Sequence, residues 1–220
     1  MFALLEKEHI PIHWLNNHAF CEYSLFLSQI KKIRAPITSA MLFGAKKHSL
    51  LEEEFKKDAV PLEEPIEEYV QKLIAGKAKP ILLREFSVKT DSFKLNGRID
   101  QIHLHENSVI IIDNKPSASN SFGAIRQLRA YALCFEEKFS WKKEIFSAIC
   151  SHSNQVLYSE KFSEKEKTDI KEAVQRMHNL FNGVEEFVPT ENPRKCFSCR
   201  YGFACRYFKE RVSSFLEPNS

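Results

Sequence analysis

Two carboxylates and an amine stand close together in the middle of the chain: Asp100 closes Gly97-Arg98-Ile99-Asp100, and Asp113 and Lys115 frame Asp113-Asn114-Lys115. Carboxylate and carbonyl oxygens are the ligands a hard divalent ion such as Mg or Mn takes, and an amine beside them can orient a water or stabilise charge on a phosphorane-like centre. In an extended segment residues two apart share a face. Asp113 and Lys115 therefore point the same way, while Asn114 offers that face only its backbone carbonyl. The same residues are also compatible with an ordinary solvated strand end, since Asp-x-Lys after an apolar strand is a common pattern.

The elements that must position these groups are legible around them. Residues 93–105 alternate loosely, His105-Glu106-Asn107 reads as a turn and Val109-Ile110-Ile111-Ile112 is an unbroken β-branched run, which predicts a hairpin whose second strand is covered on both faces. A strand over 81–89 precedes it, with Glu85 in its middle, read as an edge-strand charge rather than an acid supporting the site. Pro116 ends the hairpin, and the small-residue run 117–121 leads to a helix over about 122–136. On that helix Gln127 and Tyr131 share one stripe, while Leu128, Ala132 and Phe135 form another that can pack on the sheet. Strands over 145–150 and 156–162 follow. Then Ser163-x-x-Glu166 opens a helix with an apolar face of Ile170, Val174, Met177 and Phe181, stopped by Gly183. Upstream, a helix is expected from about His18 through Leu27 with Cys21 near its start, a second from a Thr38 or Ser39 cap to about residue 57, and a third over 66–75 ending at Gly76. His48 lies in the second. Taken alone, it reads as a solvated helix residue.

Length and composition bound the rest. The 220 residues suffice for one good core, and 43% hydrophobic content with 18 Phe supplies it. Thirty-two basic against 29 acidic side chains leave a net charge of only +3, so any nucleic-acid-binding surface must be local. No apolar run approaches a bilayer span, and the first residues lack the order of a secretion signal, so a cytoplasmic protein is expected.

In that compartment the six cysteines are not expected to form disulfides. Cys196, Cys199 and Cys205 are clustered, Cys21 stands alone 175 residues before Cys196, and Cys134 and Cys150 sit in apolar surroundings as small buried residues. Three thiolates with Cys21 as the fourth suit zinc or an iron-sulfur cluster. The three-plus-one arrangement favours the cluster, because zinc more often takes two close pairs. Either centre would join the two ends of the chain.

Together these residues resemble the RecB-like nucleases of the PD-(D/E)XK superfamily, and within it the CRISPR-associated Cas-four exonucleases. The resemblance rests on order: Cys21, His48, Gly97 to Asp100, Asp113 to Lys115, Gln127 to Tyr131, then Cys196, Cys199 and Cys205, spanning residues 21–205. It implies a mixed α/β fold, a restriction-endonuclease-like core with a central mixed sheet flanked by helices. One nuclease domain would cover 1–220, mainly helical over 21–80, with a cysteine-cluster module at 193–208 closing onto Cys21. It implies that His48, Asp100, Asp113 and the carbonyl of Asn114 hold Mn or Mg, that Lys115 assists the attacking water, and that Gln127 and Tyr131 lie beside the site. A 4Fe-4S cluster on the four cysteines is implied as well. The acid at 113 is Asp, one methylene shorter than the Glu commoner in the family.

The implied activity is metal-dependent exonucleolytic cleavage of single-stranded DNA ends or overhangs, in the processing of fragments for CRISPR spacer acquisition beside integrase proteins, with no membrane partner. Arg98, Arg126, Arg129, Arg194, Lys195, Arg200 and Arg206 are candidates to follow the phosphate backbone. A stand-alone RecB-like exonuclease of repair or replication carries the same motifs. So does a non-catalytic iron-sulfur DNA-binding scaffold with a vestigial site.

Overall fold

The computed structural model describes residues 8–58, 62–115, 121–151, 153 and 155–216. Side chains at 40, 45, 48, 51, 54, 56–58 and 214–216 lie outside that description, as do the expected loops at 59–61 and 116–120. The chain order is β1 (Ile10–Pro11), α1 (Trp14–Phe20), α2 (Glu22–Gln29), α3 (Ser39–Asp58), α4 (Ile66–Ile74), β2 (Ile81–Thr90), β3 (Leu95–Leu104), β4 (Ser108–Lys115), α5 (Phe122–Phe139), β5 (Glu144–Ser151), β6 (Val156–Lys161), α6 (Glu164–Phe181), α7 (Pro193–Phe197), a 3-10 turn (Gly202–Ala204) and α8 (Phe208–Leu216). This is the mixed α/β architecture expected, a mixed six-stranded sheet with helices packed on it.

β3 is the hub of the sheet. On one side β2 runs antiparallel along its whole length, from Ile81 opposite Leu104 to Thr90 opposite Leu95. On the other side β4 pairs with it only from Gln101 to Leu104, and the short β1 pairs in parallel with Leu95 and Asn96. The two partners share that edge because β4 leaves it: past Ile112 its ladder continues only with β5, in parallel, through Asp113 opposite Ile149 and Lys115 opposite Ser151. β3 and β4 are thus zipped near their turn and parted at Asp100 and Asp113.

Burial along β4 alternates. Val109, Ile111 and Asp113 are buried while Ile110 and Ile112 are half-buried, so the expectation of full cover on both faces holds for one face only. Against the covered face lies α5, whose Leu128, Ala132 and Phe135 are fully buried. Its start is set by the Ser121 hydroxyl, which accepts the Ala124 N–H. α1 crosses the start of α5 so closely that a Cβ on Gly123 would stand 2.7 Å from the Asn16 carbonyl oxygen, which requires glycine there. α6, opened by the expected Ser163–Glu166 capping box, buries Ile170, Val174, Met177 and Phe181 against this layer.

The N-terminal reading needs two corrections. β1 was not anticipated, because two residues carry no periodicity. The single helix expected over 18–27 is two helices, broken at Cys21, whose extended backbone (φ −170°, ψ 117°) both ends α1 and opens α2. The chain's last segments return over this break: Tyr23 N–H donates to the Val188 carbonyl, Lys195 Nζ to the Ala19 carbonyl, and the Tyr23 and Tyr207 rings meet edge to face at 4.8 Å.

Candidate active site

The parting of β3 and β4 leaves backbone groups without a ladder partner, and a side chain takes one of them. Asp100 Oδ2 accepts the N–H of Asn114 at 2.7 Å, bridging the gap where the strands no longer pair. Asp113, 2% exposed, carries Lys115 Nζ 2.7 Å from its Oδ2. The contact is an ion pair, with no hydrogen bond formed to that oxygen. The Lys115 ammonium already offsets the charge of this buried carboxylate, and the oxygens of Asp113 and Asp100 are of the type a hard divalent ion takes. The two carboxylates beside one amine therefore fit a divalent ion.

Gln127 and Tyr131 are brought here by α5, as their stripe requires. Gln127 Nε2 donates to the Tyr131 hydroxyl at 3.2 Å, and both residues are buried. Burial first, and then the negative charges of Asp113 and Asp100, push the Tyr131 phenol well above its ordinary pKa. It stays a neutral hydrogen-bond donor facing the carboxylates. The ring occupies the space of a missing side chain: a Cβ on Gly97 would lie 2.8 Å from Tyr131 Cε1 and 3.1 Å from the Ile12 side chain. Glycine opens the Gly-x-x-Asp segment because Ile12, just after β1, and Tyr131 of α5 both press on it.

Asp100, Gly97 and Tyr131 line one open cleft with His13, Ser49, Glu52, Glu85 and Arg98. His48 lies in α3 as expected, four residues before Glu52, and its side chain lies outside the described residues. His13, Glu52 and the role of Glu85 were not anticipated. β2 is the edge strand expected, but Glu85 faces the cleft, directly across from Asp100 at the one position where the β2–β3 ladder is interrupted. Its φ of +50° is rare for a non-glycine residue, and its carboxylate holds Arg98 Nε at 2.8 Å. The charge in an otherwise apolar strand was the signal available in the sequence.

The proposed phosphate contacts divide. Arg98 is exposed at the cleft, whereas Arg129 is a half-buried structural residue, bidentate to Glu160 at 2.7 and 2.9 Å and paired to Asp169 at 2.7 Å. Arg126 stacks on the Phe122 ring at 4.4 Å and faces Asp169.

Cys21, Cys196, Cys199 and Cys205 line a second, mostly apolar pocket, formed where the chain's two ends meet. Burial and then mutual charge repulsion raise the thiol pKa of Cys196; burial raises those of Cys199 and Cys205, and the nearby Cys21 adds to both. The Thr190 N–H donates to Cys21 Sγ at 3.3 Å. Such a donor set fits a thiolate-bound centre, which would relieve that repulsion. Among the described residues, however, no three His, Cys, Asp or Glu side chains already stand close enough together to hold an ion. Cys134 and Cys150 are buried elsewhere, as expected of small core residues.

With this geometry in view, comparison with known proteins is decisive at the family level. The sequence profile of the PD-(D/E)XK nuclease superfamily matches residues 62–206, which contain Asp100, Asp113, Lys115 and the three clustered cysteines. The chain belongs to the PD-(D/E)XK nuclease superfamily. Its fold resembles that of a candidate exonuclease from Eubacterium rectale, with a TM-score of 0.52 and 14% identity over 84% of this chain and 85% of that one. A crystal structure of a protein designated SSO0001 aligns with a TM-score of 0.44 and 17% identity over 92% of this chain and 88% of that one. No curated protein matches the sequence. Among the described residues no helix of this superfamily member is long and apolar enough to cross a membrane.

Proposed function

We propose that this nuclease is a Mn- or Mg-dependent deoxyribonuclease that trims single-stranded DNA ends or overhangs. The observation that carries the reading is the parted β3–β4 pair, where Asp100, which lines the open cleft, bridges to the strand that carries Asp113 and its ion-pair partner Lys115. Asp100, Asp113, the Asn114 carbonyl and His48 are the residues that would hold the ion. Bound there, it would supply a low-pKa water and polarise the scissile phosphate.

The chain's own groups account for the remaining work. Lys115, fixed beside Asp113, donates hydrogen bonds to the attacking water or a non-bridging phosphate oxygen and offsets the charge that develops there. Tyr131, kept neutral and oriented by Gln127, is a second donor at the same wall. Arg98, held by Glu85, meets the incoming backbone. Action at ends is supported by the description of the Eubacterium rectale fold neighbour.

The four cysteines converging on one pocket support a 4Fe-4S cluster, and with it the Cas-four likeness and a role in preparing fragments for CRISPR integrase proteins. A stand-alone repair or replication exonuclease uses the same residues, so this finer role rests on the resemblance and the cysteine pocket alone.

The test is incubation of end-labelled single- and double-stranded DNA with Mn, Mg or a chelator, beside Asp113→Ala. Metal-dependent shortening of single-stranded ends, absent in the variant, is expected. Absence of cleavage by the wild type in all conditions would overturn the nuclease reading in favour of a scaffold. Brown protein with stoichiometric iron is expected for the cysteine site; stoichiometric zinc would replace the cluster.

A further inference from the structure

The net charge of +3 conceals two stretches of one sign. Residues 23–51 contain five Lys or Arg and no Asp or Glu, and residues 192–209 again contain five and none. The fold brings the two together: Arg200 Nη1 contacts the Pro36 carbonyl oxygen at 3.3 Å and Met41 Sδ at 2.9 Å, joining the cysteine module to the start of α3. Around this junction large apolar side chains face solvent. Phe203 is 71% exposed, Phe43 62% and Phe197 48%. Three exposed Phe beside stretches that carry cations and no acid are an unusual surface, since aromatic rings ordinarily enter the core.

α3 also leads from this junction to the catalytic cleft, which Ser49 and Glu52 line. From Met41 to Glu52 the helix rises about 16 Å, roughly the length of five stacked nucleotides. We infer that the junction of α3 with the cysteine module is a stacking platform for single-stranded nucleic acid: Phe43, Phe197 and Phe203 take base faces, flanking cations such as Arg200 and Lys46 take phosphates, and α3 directs the strand into the cleft. Charge decides between the two occupants an apolar face might have. A protein partner would have to neutralise cations from both stretches, whereas a polynucleotide supplies one phosphate per base beside each ring. The inference rests on the nuclease reading for its direction along α3 but not for the platform itself.

The experiment measures binding of the full-length protein to a fluorescein-labelled oligothymidylate of about 15 nucleotides in chelator, for wild type, Phe43→Ala/Phe203→Ala, Phe203→Trp, Phe203→Leu and the remote control Val156→Ala. Cleavage of bis(p-nitrophenyl) phosphate with Mn reports the catalytic groups separately, because so small an ester cannot reach the platform. The double alanine variant is expected to lose roughly tenfold or more in affinity per ring, with Phe203→Trp near wild type, Phe203→Leu weakened and small-ester cleavage unchanged. Unchanged oligonucleotide affinity in the double variant overturns the platform. So does a wild-type protein that self-associates through these rings, dissociating in the double variant with no change in oligonucleotide affinity. Loss of affinity with no ester cleavage in any protein sustains the platform and overturns the nuclease reading instead.

Discussion

Asp100 Oδ2 accepts the Asn114 N–H at 2.7 Å where β3 and β4 part, so one carboxylate serves both the cleft and the backbone of the strand that carries the second acid. Asp100→Ala is therefore expected to cost stability, about 1–3 kcal/mol for an orphaned buried N–H, as well as DNA cleavage by about a hundredfold or more. Asp100→Asn keeps an acceptor oxygen and should restore most of the stability and little of the cleavage. Denaturant midpoints beside end-labelled cleavage assays separate the two.

Gly97→Ala forces a Cβ to within 2.8 Å of the Tyr131 ring. A loss of about 1–3 kcal/mol is expected, together with reduced cleavage as the ring and its Gln127 hydrogen bond shift. In a Tyr131→Ala background the same substitution should cost less, leaving only the Ile12 contact. A double-mutant cycle by thermal melting measures this coupling.

Exposed Arg98 pairs with the half-buried Glu85 in the cleft. Arg98→Ala should raise KM for DNA about tenfold, with a salt dependence shallower by about one phosphate contact and kcat nearly unchanged. Glu85→Gln leaves the cation but releases it, so a smaller KM effect and an unchanged salt slope are expected from the same titrations.

Arg129, by contrast, lies beneath α6 and β6 rather than on a DNA path. Arg129→Met should lower stability by about 3 kcal/mol through the carboxylates it strands, roughly 6–12 °C in Tm, while DNA affinity of the folded protein stays at the wild-type value. Calorimetry and oligonucleotide binding below the transition test both halves.

Cys21 lies at the break between α1 and α2, with the clustered cysteines folded back against it. The proposed cluster would tie the chain's ends, so Cys21→Ser is expected to reduce bound iron and Tm together. Cys150→Ser, remote from that pocket, should leave the metal content unchanged. Metal analysis and thermal melting on the same preparations decide it.

Much of this was written locally. The β-branched run at Val109–Ile112, the Ser163–Glu166 capping box and the Gln127–Tyr131 spacing each express a period or a short hydrogen-bonding motif that needs no distant partner, and the corresponding strand, helix start and buried stripe are found in the structure. The pairing of Arg129 was not legible, because its carboxylates lie 31 and 40 residues away and only the packing of α6 and β6 selects them. The break at Cys21 escaped notice for a similar reason: besides local bonds to Asn17, Ser24 and Leu25, the break is held by a chain segment returning from beyond residue 187, through Val188 and Thr190.

For the site itself, the sequence alone determined the acids and amine, their common face and the ordered motifs around them, because these follow from residue type and a two-residue period. Only the tertiary structure decided that β4 leaves β3 for β5 at Asp113, that Asp100 bridges the resulting gap, that Gly97 yields its side-chain space to Tyr131 and that Glu85 looks into the cleft. Each of those is set by which strand or helix fills a shared edge or volume, a competition among segments distant in the chain that no local pattern records.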